Sequence, residues 1–188
     1  MNRRYNSKTI AKIGLMTAIS CVLLLLIRIP FPPAPFLKYD PADVPIFVTA
    51  FAFGPIPGVV VTGVVSLIQA FGLGEDGLYG FLMHMVATGS FVVVASIIYS
   101  RHKTKKNAII AIIAGVITMT VIMCFANMFI TPLFMGVPRK AVMAMILPVI
   151  MPFNLLKGGI NGLLTMLIYK SQTTRGQQSV PLRRFMTI

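Results

Sequence analysis

The uncharged apolar run from Ile13 to Ile27, with further apolar stretches behind it, restricts this chain more than any other feature. A helix of roughly 20 apolar residues crosses a bilayer. A water-soluble fold of this size has nowhere to bury so many such stretches. Of 188 residues, 56% are hydrophobic and 11% charged, against about 25% charged in a typical soluble domain. The chain therefore reads as one all-α integral membrane domain over residues 1–188. The basic start MNRRYNSK before the first run resembles a signal peptide. No small-residue cleavage site follows it, so the run reads as a retained span.

The net charge of +13 raises the question of nucleic acid. The distribution of that charge answers it. Arg3, Arg4, Lys8 and Lys12 form one cluster, Arg101, Lys103, Lys105 and Lys106 a second, and Lys170, Arg175, Arg183 and Arg184 a third. Each cluster flanks an apolar span, which is the cytoplasmic enrichment of membrane proteins rather than a nucleic-acid face. The partner so implied is the lipid bilayer of a cell membrane, crossed several times, and not a nucleic acid. Cys21 and Cys124 both lie in apolar runs and read as small buried hydrophobes.

With the three clusters placed inside, six spans follow. They are about 10–29, 44–53, 59–73, 79–99, 108–130 and 141–169. Both termini are then cytoplasmic, as basic tails over 1–9 and 171–188. Gly54 to Gly58, GPIPG, makes an inner turn, and Gly74 to Gly77, GEDG, an outer one. Spans two and three are short. A four-span alternative leaves 41–73 as a hairpin dipping into the membrane. Pro148 and Pro152 kink the last span and free carbonyls that need partners at membrane depth.

The polar residues inside the spans are few: Gln69, His84, Thr88, Asn127, Thr131, Asn154, Lys157 and Asn161. The last three, in PFNLLKGGIN, share one helical stripe. Lys157 lies about 18 Å along the helix from Tyr169. An unpaired Lys there costs about 3 kcal/mol or more, so it reads as a functional group rather than a snorkelling one. Asn127 suits an interhelical hydrogen bond as well as a ligand contact. His84 alone reads as a packed histidine as readily as a ligand. No catalytic set, metal-ligand spacing or phosphate loop is present. No expected span contains Asp or Glu, the usual carriers of proton coupling. Amides, hydroxyls and one amine suit a neutral polar ligand. Ala11, Gly14 and Ala18 form a small face on the first span, open either to internal packing or to a partner helix.

The stretch PFPPAPFLKYDPADVP, Pro30 to Pro45, together with MPFNLLKGGIN, resembles the riboflavin-specific substrate-binding (S) components of energy-coupling factor (ECF) transporters. The family signature falls on Leu37, Lys38, Asp40, Asp43, Val44 and Pro45. TMTVIMCFANMFITPLF looks like the family's fifth helix. Many members carry a Lys-Asn pair in the third span, where this chain reads VSLIQAF, so that either Gln69 stands in for the pair or the third span contributes less here.

The resemblance implies six helices and riboflavin bound near the outer side, as transported ligand rather than cofactor. The loop after the first span is implied as a lid. The implied site is Leu37, Lys38, Tyr39, Asp40, His84, Asn127, Thr131, Asn154, Lys157 and Asn161, with no metal and no catalytic residue. The implied partners are a transmembrane scaffold subunit, docked on Ala11, Gly14 and Ala18, and two cytoplasmic ATPases. The chain itself is then not an enzyme. Pro41 is expected in the first turn of the second helix, with Asp40 as its N-cap or as a ligand contact. Competing readings are a self-sufficient secondary transporter of a neutral polar-aromatic molecule, and a membrane transferase, which the absence of acid clusters in the spans disfavours.

Overall fold

The computed structural model describes residues 6–72 and 77–178, with side chains to residue 168. Arg3, Arg4, Glu75, Asp76, Arg183 and Arg184, invoked in the topology above, lie outside the described residues or side chains. So do the side chains of Lys170 and Arg175.

The architecture is a helical bundle with one small β-hairpin. Helix α1 covers Ser7–Leu26, and its N-cap Asn6 accepts from the Thr9 amide. Two strands follow, β1 at Ile29–Phe31 and β2 at Ala34–Tyr39. They pair antiparallel, with Ile29 opposite Tyr39 and Pro30 opposite Lys38. The expectation of an all-helical chain is corrected here. Proline is tolerated on edge strands because no ladder donor is required of it there, and a two-stranded hairpin has only edges.

Helix α2, Asp43–Phe53, has 11 residues, about half the length of a crossing helix. Its start differs from expectation. Pro41 and Ala42 form a turn ahead of the helix, and Asp40 Oδ1 accepts from the Ala42 amide at 3.2 Å. Asp40 thus closes a side-chain turn before α2 instead of capping it. The inner turn is also tighter than expected. Gly54 alone separates α2 from α3, Pro55–Leu67, at φ 98°, a conformation that favours glycine. Pro55 and Pro57 sit inside the first turn of α3, where missing amide donors are harmless. The third span therefore starts at Pro55, and a π turn at Ile68–Gly72 extends it to 18 residues.

Helix α4, Gly77–Arg101, and α5, Lys105–Met135, form a long antiparallel pair. A short α6, Arg139–Met145, leads through a π turn at Ile146–Ile150, which contains Pro148, into α7, Met151–Gln178. The expected break in the last span is this turn. Among the described residues, five segments are long and apolar enough to cross a membrane: 7–26, 55–72, 77–101, 105–135 and 139–168.

The core centres on α2, which packs on α1, α3, α4 and α7. Phe47 of α2 stacks on Phe91 of α4 with centroids 3.7 Å apart. Gly58 lets α3 approach α2: a Cβ there would stand 2.8 Å from the Ala50 Cβ. A second apolar cluster of Ala34, Leu37, Val142, Ile150 and Phe153 seats the hairpin on α6 and α7. Outward-facing Leu15, Leu25, Ile113, Phe125, Leu163 and other large apolar side chains are exposed. That is the surface a lipid-embedded bundle presents.

Candidate functional site

The helix ends that carry the hairpin also carry a cavity of about 110 Å³. Its walls are apolar: Phe36 and Leu37 from β2, Tyr79 and Met83 from α4, Met123 and Phe134 from α5, Phe153 from α7. Polar groups interrupt them at Lys38, Gln69, His84, Asn127, Thr131, Asn154 and Lys157. Seven of the ten residues expected at the site therefore line one cavity: Leu37, Lys38, His84, Asn127, Thr131, Asn154 and Lys157. Tyr39, Asp40 and Asn161 do not line it. They lie beside it in a buried polar network.

That network starts at Asp43, which is 1% exposed although it opens a helix between apolar segments. Lys157 Nζ stands 2.9 Å from Asp40 Oδ2 and 3.6 Å from Asp43 Oδ2. The other oxygen of Asp43 contacts His84 Nε2 at 3.0 Å and accepts from the Thr88 hydroxyl at 2.8 Å. His84 Nδ1 meets Ser66 Oγ at 2.8 Å. Asn161 Nδ2 donates to the Asp40 carbonyl at 3.0 Å and to Asp43 Oδ2 at 3.3 Å. Tyr39 donates its hydroxyl to Asn161 Oδ1 at 3.0 Å. Partial burial, followed by the negative charge of Asp40, pushes the Tyr39 phenol above its ordinary range, so it stays a neutral donor.

Two expectations change as a result. The stripe of Asn154, Lys157 and Asn161 does not act as one surface: the first two line the cavity, while Asn161 ties α7 to the hairpin end and α2. The five membrane-length segments contain no Asp or Glu, as expected, but the bundle does hold a buried acid at Asp43, the first residue of the short α2. Its carboxylate meets the Lys157 ammonium and contacts the His84 ring, so Lys157 is not a lone amine awaiting a ligand. Buried ions survive at this depth only when so matched.

Local structure positions the remaining groups. Asn127 donates to the Met123 carbonyl at 2.8 Å and accepts from Thr131 at 2.8 Å. Asn154, in the cavity wall, donates to the Ile150 carbonyl in the π turn at 2.8 Å. Gln69 sits in the other π turn, and its Oε1 is buried with no hydrogen-bond partner among the described residues. π turns recur at functional sites, and here the first places Gln69 in the cavity wall while the second lies just ahead of Phe153 and Asn154. Sequence reasoning passed over Phe36, Tyr79, Met83, Met123, Phe134 and Phe153, which carry no polar signal in an apolar chain. Ala11, Gly14 and Ala18 are all exposed on α1, and a Cβ on Gly14 would meet nothing within 4 Å. None of the three is packed away among the described residues.

Residues 8–169 match the family described as "ECF transporter, substrate-specific component". The chain is 32% identical over 178 residues to the riboflavin transporter RibU of Staphylococcus aureus (strain TCH60), covering 90% of this chain and 92% of that protein. It is 26% identical over 161 residues to the riboflavin transporter FmnP of Bacillus subtilis (strain 168), covering 80% and 84%. A solved structure described as the S component of a bacterial ECF transporter superposes with a TM-score of 0.78 at 28% identity, over 89% of this chain and 96% of that one. With its fold, its cavity under a hairpin and a match over most of its length, this chain belongs to the family of substrate-specific components of ECF transporters.

Proposed function

We propose that the chain binds riboflavin and delivers it inward as the S component of an ECF-type vitamin uptake transporter in a bacterial plasma membrane. The observation that carries this reading is the cavity beneath the hairpin, which gathers seven of the expected site residues. Its walls suit the faces of a flat, largely apolar ring system. Its polar lining of amides, hydroxyls, the His84 ring and two lysines, of which Lys157 is already matched by carboxylates, suits the polar edge of such a molecule. The relatives named above are riboflavin transporters.

Asn127, Thr131, Asn154 and Lys157 serve as hydrogen-bonding contacts, with Gln69 supplying a further acceptor in place of the family's Lys-Asn pair. Leu37 and Lys38 close the site from the hairpin. A cavity of about 110 Å³ is small beside the roughly 300 Å³ at the lower end of ligand pockets, so riboflavin entry requires the hairpin to shift. Tyr39, Asp40 and Asn161 act behind the contacts by holding the hairpin end on α7.

In this reading α2 is the second of six membrane segments, both termini are cytoplasmic and the hairpin is external. Ala11, Gly14 and Ala18 dock on a transmembrane scaffold subunit, and two ATPase subunits supply the energy. Riboflavin is the cargo and no resident cofactor is required. A self-sufficient secondary transporter is disfavoured by family membership.

The test is the absorption spectrum of the protein purified from riboflavin-supplied cells. Flavin bands at close to one flavin per chain are expected. A colourless protein that also fails to bind added riboflavin would overturn the proposal.

A further inference from the structure

A second cavity shares no lining residue with the first. It lies where the short α2 leaves room between two longer helices. α1 and α7 both pack on α2, which has only 11 residues. The cleft so formed encloses about 430 Å³, within the range of roughly 300 to 1,000 Å³ usual for ligand pockets. Its floor is buried and includes Phe51 of α2 and Tyr99 of α4, whose ring centroids are 4.9 Å apart. Its rim is exposed, at Ile19 on α1, Ala52 on α2 and Ile168 on α7. Ile19 and Ile168 belong to segments apolar enough to cross a membrane, so the rim opens toward lipid.

The lining selects the occupant. It is almost wholly apolar, and the hydroxyl of Thr165 is already given to the Asn161 carbonyl at 2.8 Å. Such walls offer packing area and little hydrogen bonding. A flavin or another polar cargo would leave its edge groups unsatisfied there, which is costly. A hydrocarbon chain asks for nothing that the cleft lacks.

The charge on α1 narrows the choice further. Met16 and Ile19 line the cleft. Lys12 precedes Met16 by four residues and Lys8 precedes Lys12 by four, so the lysines continue the cleft's own face of α1. Both lysines are exposed, at the end of α1 opposite the hairpin. They stand about 6 and 12 Å along the helix axis from Met16. The headgroup zone of a bilayer is about 5 to 7 Å deep, so one and two turns from an acyl-lined position their flexible stems reach the level of a lipid phosphate. The small face of Ala11, Gly14 and Ala18 points about a third of a turn away around the helix, which keeps the cleft distinct from it.

We propose that the cleft between α1, α2 and α7 binds one anionic phospholipid, with an acyl chain over Phe51 and Tyr99 and its phosphate at Lys8 and Lys12. The site is independent of the flavin cavity and of the function proposed for it.

The chain contains no Trp, so a single introduced Trp reports on the lipid beside it. Ile168→Trp places the reporter on the cleft rim, and Ile19→Trp repeats the reading from the opposite rim. Ile113→Trp, on α5 at a position 54% exposed and outside the cleft, is the reference. Each protein is placed in phosphatidylcholine vesicles holding a minor fraction of phosphatidylglycerol, with brominated acyl chains on one lipid or the other. Per brominated molecule, phosphatidylglycerol is expected to quench the rim reporters about fivefold more than phosphatidylcholine, the preference that one lysine at an anionic headgroup supplies. In Lys8→Gln/Lys12→Gln that ratio should fall to near one, the value expected for the reference throughout. Equal quenching by the two lipids at both rim positions, or a preference that survives loss of both lysines, would overturn the proposal. So would rim reporters that neither lipid quenches while the reference is quenched, which would show a cleft closed to lipid or filled by a protein segment. No reading requires riboflavin, so failure here is separate from failure of the proposed function.

Discussion

Replacing Gly14 by Trp is expected to abolish riboflavin uptake by the assembled transporter while leaving riboflavin binding intact. Helix α1 is the least embedded of the long helices, with 11% of its apolar window buried. Gly14 lies in its first half on an exposed face with Ala11 and Ala18, and nothing among the described residues comes within 4 Å of the position of its missing Cβ. An indole there has room within the subunit. Exposed substitutions usually change stability by no more than about 0.5 kcal/mol, so the Kd for riboflavin should move by roughly twofold at most. Close helix approach in lipid depends on small residues at the contact, and an indole across that face removes it. Co-purification with the energy-coupling subunits should be lost along with uptake. Loss of flavin binding would show instead that α1 contributes to the site. Normal uptake would remove this face from the interface.

The second large effect is expected at Lys157. Lys157→Met leaves Asp40 and Asp43 with one cation fewer. Removing one partner of a buried ion pair typically costs about 3 to 5 kcal/mol. Both the melting temperature and riboflavin binding should fall, the affinity by about 100-fold or more. Asp40→Asn/Lys157→Met removes one charge of each sign and should recover most of the thermal stability. It should not recover affinity, because the ligand still loses a hydrogen bond in a dry pocket, about 1 to 3 kcal/mol. Calorimetry and flavin-fluorescence titration on both variants read the two terms separately. Wild-type affinity in the double variant would show that Lys157 serves the network alone. An unaffected single variant would contradict the network itself.

The apolar runs made the spans legible, because a bilayer demands long uninterrupted helices. Their boundaries were less so. Pro55 and Pro57 read as turn residues, yet proline is at home in the first turn of a helix, and only Gly54 breaks the chain there. The hairpin was hidden by its prolines and by a first strand only three residues long. Asn154 and Lys157 were recognisable because polar side chains at membrane depth need a reason. Asp43 was missed because it sits where a polar loop meets a helix. Its partners His84 and Asn161 are 41 and 118 positions away, a separation that no local period encodes. The aromatic and Met walls of the cavity gave no signal, since such residues are as common against lipid as against a ligand.

The central claim is that this chain binds riboflavin but moves it only when a separate module supplies energy. Uptake of labelled riboflavin into lipid vesicles tests both halves at once. Vesicles holding the chain with its scaffold and ATPase subunits should accumulate riboflavin when ATP is enclosed with the ATPases, and vesicles holding the chain alone should bind it without accumulating it. Accumulation by the chain alone, driven by an ion gradient and indifferent to ATP, would contradict the account.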